Sequence, residues 1–218
     1  MNCDRLARSY RWLEYLRYGK ALERCRLAML PEIAHARKAL LVGDGDGRFL
    51  STFLLHNDSV ALDAIDLSYR MVEIASRRLN GNRCRNKNRI TLQDGDIRTA
   101  PPPGQGYDLV VTHFFFDVFS TNELKCVIDR VAHWTAPEAL WLISEFDLPA
   151  SGWKRANARF WLRTMYAFFR FTTNLRNQQL PCWRPLLREA GFVPRKQIRY
   201  KDGFLVSELW QRGGNAVA

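Results

Sequence analysis

Four apolar residues, Ala39-Leu40-Leu41-Val42, run straight into Gly43-Asp44-Gly45-Asp46-Gly47, and no other feature of the 218-residue chain restricts its fold as tightly. A short unbroken apolar run suits a strand buried on both faces, which requires helices on either side of a sheet. Glycines at alternate positions allow a tight turn and let a ligand approach the backbone closely. The apolar segment Phe49 to Leu55 follows. Strand, glycine turn and apolar segment together predict an α/β protein with a ligand at the turn. Position 48 is arginine where a dinucleotide fingerprint continues toward its third glycine, so the spacing argues against a nicotinamide enzyme.

The rest of the chain alternates in kind. The first 35 residues read as helical, with Leu6, Tyr10, Leu13 and Leu16 near a three-to-four spacing and Gly19 as an interruption. A second helical stretch runs from about Lys20 to Leu30 and stops at Pro31. Val60–Ile65, Arg89–Gln93, Tyr107–Thr112 and Ala139–Ser144 read as further strands. Helices are predicted over Tyr69–Leu79 and from about Asn122 to Trp134, the latter opened by a capping-box pair, Ser120 and Glu123. This alternation implies a mostly parallel sheet with helices on both faces. A basic, aromatic-rich insertion follows over 151–180, then a helix over Trp183–Ala190 closed by Gly191. Phe192–Tyr200 and Phe204–Trp210 read as strands joined through Lys201-Asp202-Gly203 as a hairpin. There are no internal repeats.

Composition narrows the function classes. At 47% hydrophobic and 25% charged, the chain matches ordinary globular domains and excludes disordered and collagen-like classes. No run approaches the ~20 apolar residues of a membrane span. The charged N-terminus is unlike a signal peptide, and the expected compartment is the cytoplasm. Cys3, Cys25, Cys84, Cys126 and Cys182 are scattered without a C-x-x-C pair and read as free thiols, with no metal site. A formal charge of +11 favours anionic partners: nucleic acid, which no recognition module accompanies, an acidic membrane surface in peripheral contact, or an anionic small molecule. A solvated basic surface is the competing explanation.

Acidic residues recur at the ends of the expected strands. Asp66 lies 23 residues after Gly43 and Asp94-Gly95-Asp96-Ile97 closes the third strand. In a parallel sheet the strand C-termini converge, which would bring Asp44, Asp46, Asp66, Asp94, Asp96 and Asp117 toward one crevice. Singly, each reads equally as a turn or cap residue. In that order they form a pattern. Leu40–Gly47, Ile65-Asp66-Leu67-Ser68-Tyr69-Arg70-Met71, Gln93–Ile97 and Tyr107–Val111 resemble the successive motifs of the class I S-adenosylmethionine-dependent methyltransferases. Ala190-Gly191-Phe192 with a hairpin behind it is similar to the end of the same family. The N-terminal Leu6–Tyr10 segment and the insertion loosely resemble the ubiquinone/menaquinone-type members, which modify small, often hydrophobic molecules.

The resemblance implies a Rossmann-like three-layer sandwich: a mostly parallel seven-stranded sheet with an antiparallel last strand, N-terminal helices, and a helical insertion before the final hairpin. It implies one domain over 1–218, with a helical lid at 1–35, a cofactor-binding core at 36–150, the insertion at 151–180, and the C-terminal helix and hairpin at 181–211. S-adenosylmethionine is the implied cofactor. Gly43, Asp44, Gly45, Asp46 and Gly47 would cradle it, Asp66 with Leu67 would meet its ribose, Asp96 with Ile97 its adenine, and His113 would lie beside it. Leu41 stands where family members carry an acidic residue, which makes Asp44 and Asp46 candidates for its electrostatic role.

His113-Phe114-Phe115-Phe116-Asp117 follows the fourth strand, where the family places substrate-side residues. His113 is a candidate general base for a hydroxyl or amine nucleophile, with Asp117 orienting it or binding substrate. Phe114, Phe115 and Phe116, with Tyr10 from the lid, are candidate substrate contacts. Packing of the strand-to-helix junction competes for at least one phenylalanine, and a structural histidine competes for His113. The expected reaction is methyl transfer to a small, partly hydrophobic molecule. Two other readings stand beside it: an RNA or protein methyltransferase using the basic surface, and a non-catalytic cofactor-binding or scaffold protein. Arg155, Arg159 and Arg163 would form one basic stripe if the insertion is helical, and Arg77-Arg78 with Arg83, Arg85, Lys87 and Arg89 form a second basic cluster.

Overall fold

The computed structural model describes residues 20–81, 87–149, 152 and 180–213. The apolar run before the glycines forms β1 (Lys38–Val42), preceded by α1 (Lys20–Leu27) and α2 (Leu30–Ile33). Beyond it come α3 (Arg48–His56), β2 (Ala61–Asp66), α4 (Tyr69–Gly81), β3 (Ile90–Asp94) and β4 (Tyr107–His113). Then follow α5 (Thr121–Trp134), β5 (Thr135–Phe146), α6 (Trp183–Glu189), β6 (Phe192–Tyr200) and β7 (Leu205–Arg212). The seven strands form one sheet in the order β3-β2-β1-β4-β5-β7-β6. β3, β2, β1, β4 and β5 pair in parallel, while β7 is antiparallel to both β5 and β6. This is the Rossmann-like sandwich that the motif order predicts.

Alternation along each central strand divides the core into two layers. Leu40 and Val42 of β1, Val110 of β4, and Trp141 and Ile143 of β5 face α5 and α6 on one side. Ala39 and Leu41, Leu109 and Val111, and Leu142 face α2, α3 and α4 on the other. Both faces are covered, as a parallel sheet requires. A third, smaller cluster joins Leu22 and Cys25 of α1 to Phe146, Phe204 and Leu205 near the end of β5 that bears the site.

Most boundaries fall within two residues of the sequence reading, and two differ by more. Pro31 does not end a helix: α1 stops at Leu27, and Pro31 sits in the first turn of α2, where its missing N–H has no intrahelical partner to lose. β5 begins at Thr135, four residues before Ala139, because α5 passes directly into it. Its register against β4 shifts between Tyr107 and Leu109, and Glu138 takes a positive φ of 61° there. A bulge of this kind absorbs Pro137 inside a strand. The capping box is present as expected, with Ser120 and Glu123 exchanging side-chain and backbone hydrogen bonds. The hairpin turn spans Lys201–Phe204, with Lys201, Asp202 and Gly203 all at positive φ. The segment before Lys20, the insertion over 153–179, and Arg83 and Arg85 lie outside the described residues.

Candidate functional site

β1 delivers the glycine turn to the C-terminal end of the sheet, and Gly43, Gly45 and Gly47 all adopt positive φ. Their surroundings differ. A Cβ on Gly43 would fall 2.4 Å from the Phe115 ring, and one on Gly47 would fall 2.8 Å from Ala75 of α4. At Gly45 the corresponding space is open. The middle glycine therefore faces free volume while its neighbours face protein.

Asp66 closes β2 beside this turn. Its two oxygens accept from the N–H of Gly45, at 3.1 Å, and of Ser68, at 2.9 Å. Each oxygen keeps a further lone pair for a ligand hydroxyl. Burial pushes the Asp66 carboxyl above its ordinary range, although these two N–H groups oppose the shift. Asp44, Gly45, Leu50, Ala64, Ile65, Asp66, Val72, Ala75 and Leu92 line one cleft that is partly open to solvent. Asp44 accepts from the Leu50 N–H at 3.1 Å, capping the third residue of α3 from outside the helix. Burial raises the Asp44 carboxyl to about 7, against that hydrogen bond and the nearby positive charge of Arg26.

Other aspartates serve local pairing. Asp46 accepts from Arg48 Nε at 3.0 Å and Arg78 Nη2 at 3.1 Å, so its carboxylate ties α3 to α4 rather than facing the cleft. Asp96 binds Arg98, whose Nη2 lies 2.7 Å from Oδ2, and this pair holds its carboxyl below the usual range. Ile97 is buried in the core, Leu67 is exposed beside Asp66, and Asp94 is exposed at the end of β3. Leu41 is 1% exposed and packs among the helices of its layer.

His113 ends β4. It is buried, its ring meets Phe49 edge-on at 4.5 Å between centroids, and neither ring nitrogen has a hydrogen-bond partner among the described residues. A buried polar pair without partners is rare and calls for a ligand or solvent. Burial, aided by the charge of Arg26, holds the imidazole well below its ordinary pKa, so it is neutral at physiological pH. Phe114 and Phe115 are half-buried, whereas Phe116 is fully buried against Trp141 and Trp183 and belongs to the core. Asp117 is half-buried, and its carboxyl is raised by burial. Tyr10 lies outside the described residues.

Two residues that the sequence reading does not single out stand at this site. The Arg26 guanidinium on α1 lies 5.3 Å from the Phe114 ring centroid, and its charge reaches both Asp44 and His113. A surface-helix arginine among 33 basic residues carries no signal of that placement. Glu145 is buried near the end of β5, where burial and the neighbouring Asp117 push its carboxyl well up. The available signal was an acidic residue inside an apolar strand, Trp141-Leu142-Ile143-Ser144-Glu145-Phe146.

Residues 40–140 match a family described as a methyltransferase domain. No curated protein matches the sequence. Among solved structures, the N-methyltransferase NodS from Bradyrhizobium japonicum WM9 is 15% identical, with a TM-score of 0.61 over 90% of this chain and 99% of that one. An O-methyltransferase family protein from Burkholderia thailandensis is 16% identical, with a TM-score of 0.70 over 99% of this chain and 64% of that one. Human N-acetylserotonin methyltransferase, solved in complex with SAM, is 16% identical, with a TM-score of 0.62 over 95% of this chain and 55% of that one. At such identities the likeness is one of fold.

Proposed function

We propose that this chain, whose residues 40–140 match a family described as a methyltransferase domain, transfers a methyl group from S-adenosylmethionine to a small, partly hydrophobic acceptor. The observation that carries the reading is the Asp66 carboxylate, held by the Gly45 and Ser68 N–H groups at the mouth of a cleft whose middle glycine faces open space. The residues present suit the cofactor's parts. Asp66 offers acceptors to two ribose hydroxyls, Leu67 an exposed apolar surface beside them, and Ile97 a neighbouring backbone N–H for adenine. Asp44 and Arg26 place opposite charges near the turn, matching the ammonium and carboxylate of a methionyl group. Asp44 thereby takes the electrostatic role left open by Leu41, while Asp46 serves the turn through Arg48 and Arg78.

When bound, S-adenosylmethionine supplies a methyl group already activated by its sulfonium, for in-line displacement by the acceptor. The protein's contribution is alignment, exclusion of water and handling of one proton. His113, neutral and without a hydrogen-bond partner among the described residues, accepts the proton that a hydroxyl or amine nucleophile loses as its new bond to carbon forms. Phe114 and Phe115 supply the apolar wall that favours a hydrophobic acceptor, with Asp117 beside them to orient it. Tyr10 remains a candidate cover from the N-terminal segment.

Calorimetric titration with S-adenosylmethionine and S-adenosylhomocysteine tests the reading. Micromolar binding of both is expected. Asp66→Ala should weaken it at least tenfold, about 1.4 kcal/mol, while leaving the melting temperature near that of the parent. Unchanged affinity in that variant would remove the ribose assignment, and no binding by the folded parent would remove the cofactor.

A further inference from the structure

β5 runs beside the turn that leaves β4, and at Glu145 it buries an acidic side chain with 1% exposure. A carboxyl group so deeply buried is costly without hydrogen-bond partners. It finds them in the turn, where Oε1 accepts from the N–H of Phe115 at 2.8 Å and of Phe116 at 2.7 Å. The N–H of Phe114 goes to the Ser144 carbonyl at 2.7 Å. Three successive amides are thus held by two adjacent residues of β5. Phe114 itself lies at φ +51°, a left-handed conformation that a phenylalanine keeps only where its surroundings enforce it.

The consequence appears across the site. The Phe115 ring occupies the position that a Cβ on Gly43 would take, and it meets Phe119 edge-on at 5.0 Å. One end of the glycine turn is therefore closed by an aromatic ring, while Gly45 stays open. The ring's position follows from the path of the turn, and the turn is pinned by Glu145.

We infer that Glu145 is the positioning residue of the cofactor cleft: by fixing the Phe114–Phe116 turn it sets the Phe115 ring as the wall at Gly43, and so governs cofactor affinity without touching the cofactor. The inference rests on the reading of this cleft as the S-adenosylmethionine site. It also explains the residue type. An apolar side chain at 145 would leave two buried amides unpaired. Aspartate is one methylene shorter and does not reach both amides from the same backbone position. Glutamine presents a carbonyl oxygen at the same reach.

The test is calorimetric titration with S-adenosylhomocysteine of the parent, E145Q, E145D, F115A and the F115A/E145D double variant, with thermal melts as fold controls. E145Q should bind within about twofold of the parent, whereas E145D and F115A should each bind about tenfold more weakly. The double variant should be no weaker than either single, because both changes remove the same wall. Additive losses would overturn the inference, since Glu145 would then act on the protein at large. So would parental affinity in E145D or F115A, or a tenfold loss in E145Q. If E145D does not fold, a tenfold loss in E145Q or parental affinity in F115A still overturns the inference. No binding by the parent would instead overturn the cofactor reading, and this inference with it.

Discussion

The carboxylate of Asp44 caps α3 through the Leu50 N–H and sits in a cleft where burial raises it to about 7. In the unfolded chain the same group titrates near about 4, so between these values the folded protein holds a proton that the unfolded chain has lost. The stability this contributes is fully present below the unfolded pKa and disappears as pH rises through 7. In the cofactor-free protein at pH 8, the ionised Asp44 is therefore a cost. Asp44→Asn should raise the free energy of unfolding by about 1 kcal/mol or more at pH 8 and by much less at pH 5, while weakening S-adenosylmethionine binding. Urea titrations at the two pH values measure this, and a destabilised variant at pH 8 would refute it. His113 works in the opposite sense. Its pKa is depressed on folding, so its contribution is lost as pH falls below the unfolded value of about 6.5.

Secondary-structure elements in this chain start and stop for local reasons in some places and tertiary ones in others. α5 starts locally, at a capping box in which Ser120 Oγ accepts from the Glu123 N–H, and Glu123 Oε2 accepts from the Ser120 N–H at 3.0 Å. Ser120→Ala should cost about 1 kcal/mol in chemical denaturation, and a cost near zero would show that tertiary packing alone fixes this terminus. β5 starts for tertiary reasons. Thr135 pairs with Tyr107 of β4 before any apolar run begins, and the four residues between Thr135 and Leu140 bulge to restore register. β6, an edge strand, carries Pro194 and Lys196 at its own register shift, features that keep an edge from pairing with a second copy.

Across the whole molecule, one buried ionic group ties the late elements together. Arg184 of α6 donates to Glu208 of β7 and to Asp147 beyond β5, each at 2.8 Å, and Trp210 Nε1 donates to the other Glu208 oxygen at 2.9 Å. Glu208 is 2% exposed, so removing its cation strands a charge in the interior. Arg184→Met should cost about 3 kcal/mol in chemical denaturation, and adding Glu208→Gln should recover part of the loss. No recovery in the double variant would mean that Arg184 stabilises by packing rather than charge. These partners are 24 and 37 residues from Arg184 in sequence, and no local pattern announces them.

Periodicity and turn chemistry, both properties of neighbouring residues, made most of the architecture legible. The apolar run of Ala39–Val42, the three glycines and the spacing to Asp66 depend only on local order, and they placed β1, the turn and the end of β2. The Ser120–Glu123 pair marked α5 in the same way. What the aspartates face is another kind of fact. Asp46 and Asp66 look alike in sequence, yet Arg78, brought 32 residues back by α4, engages the first and leaves the second to the cleft. Likewise the three phenylalanines after His113 are equivalent as a string, and only the pleat, the Glu145 hydrogen bonds and the approach of Gly43 divide them into core and wall. Sequence alone determined which elements form and in what order, because those depend on residues a few positions apart. Tertiary structure decided which side chains meet at the site, because long-range burial and pairing set the direction and charge of each one.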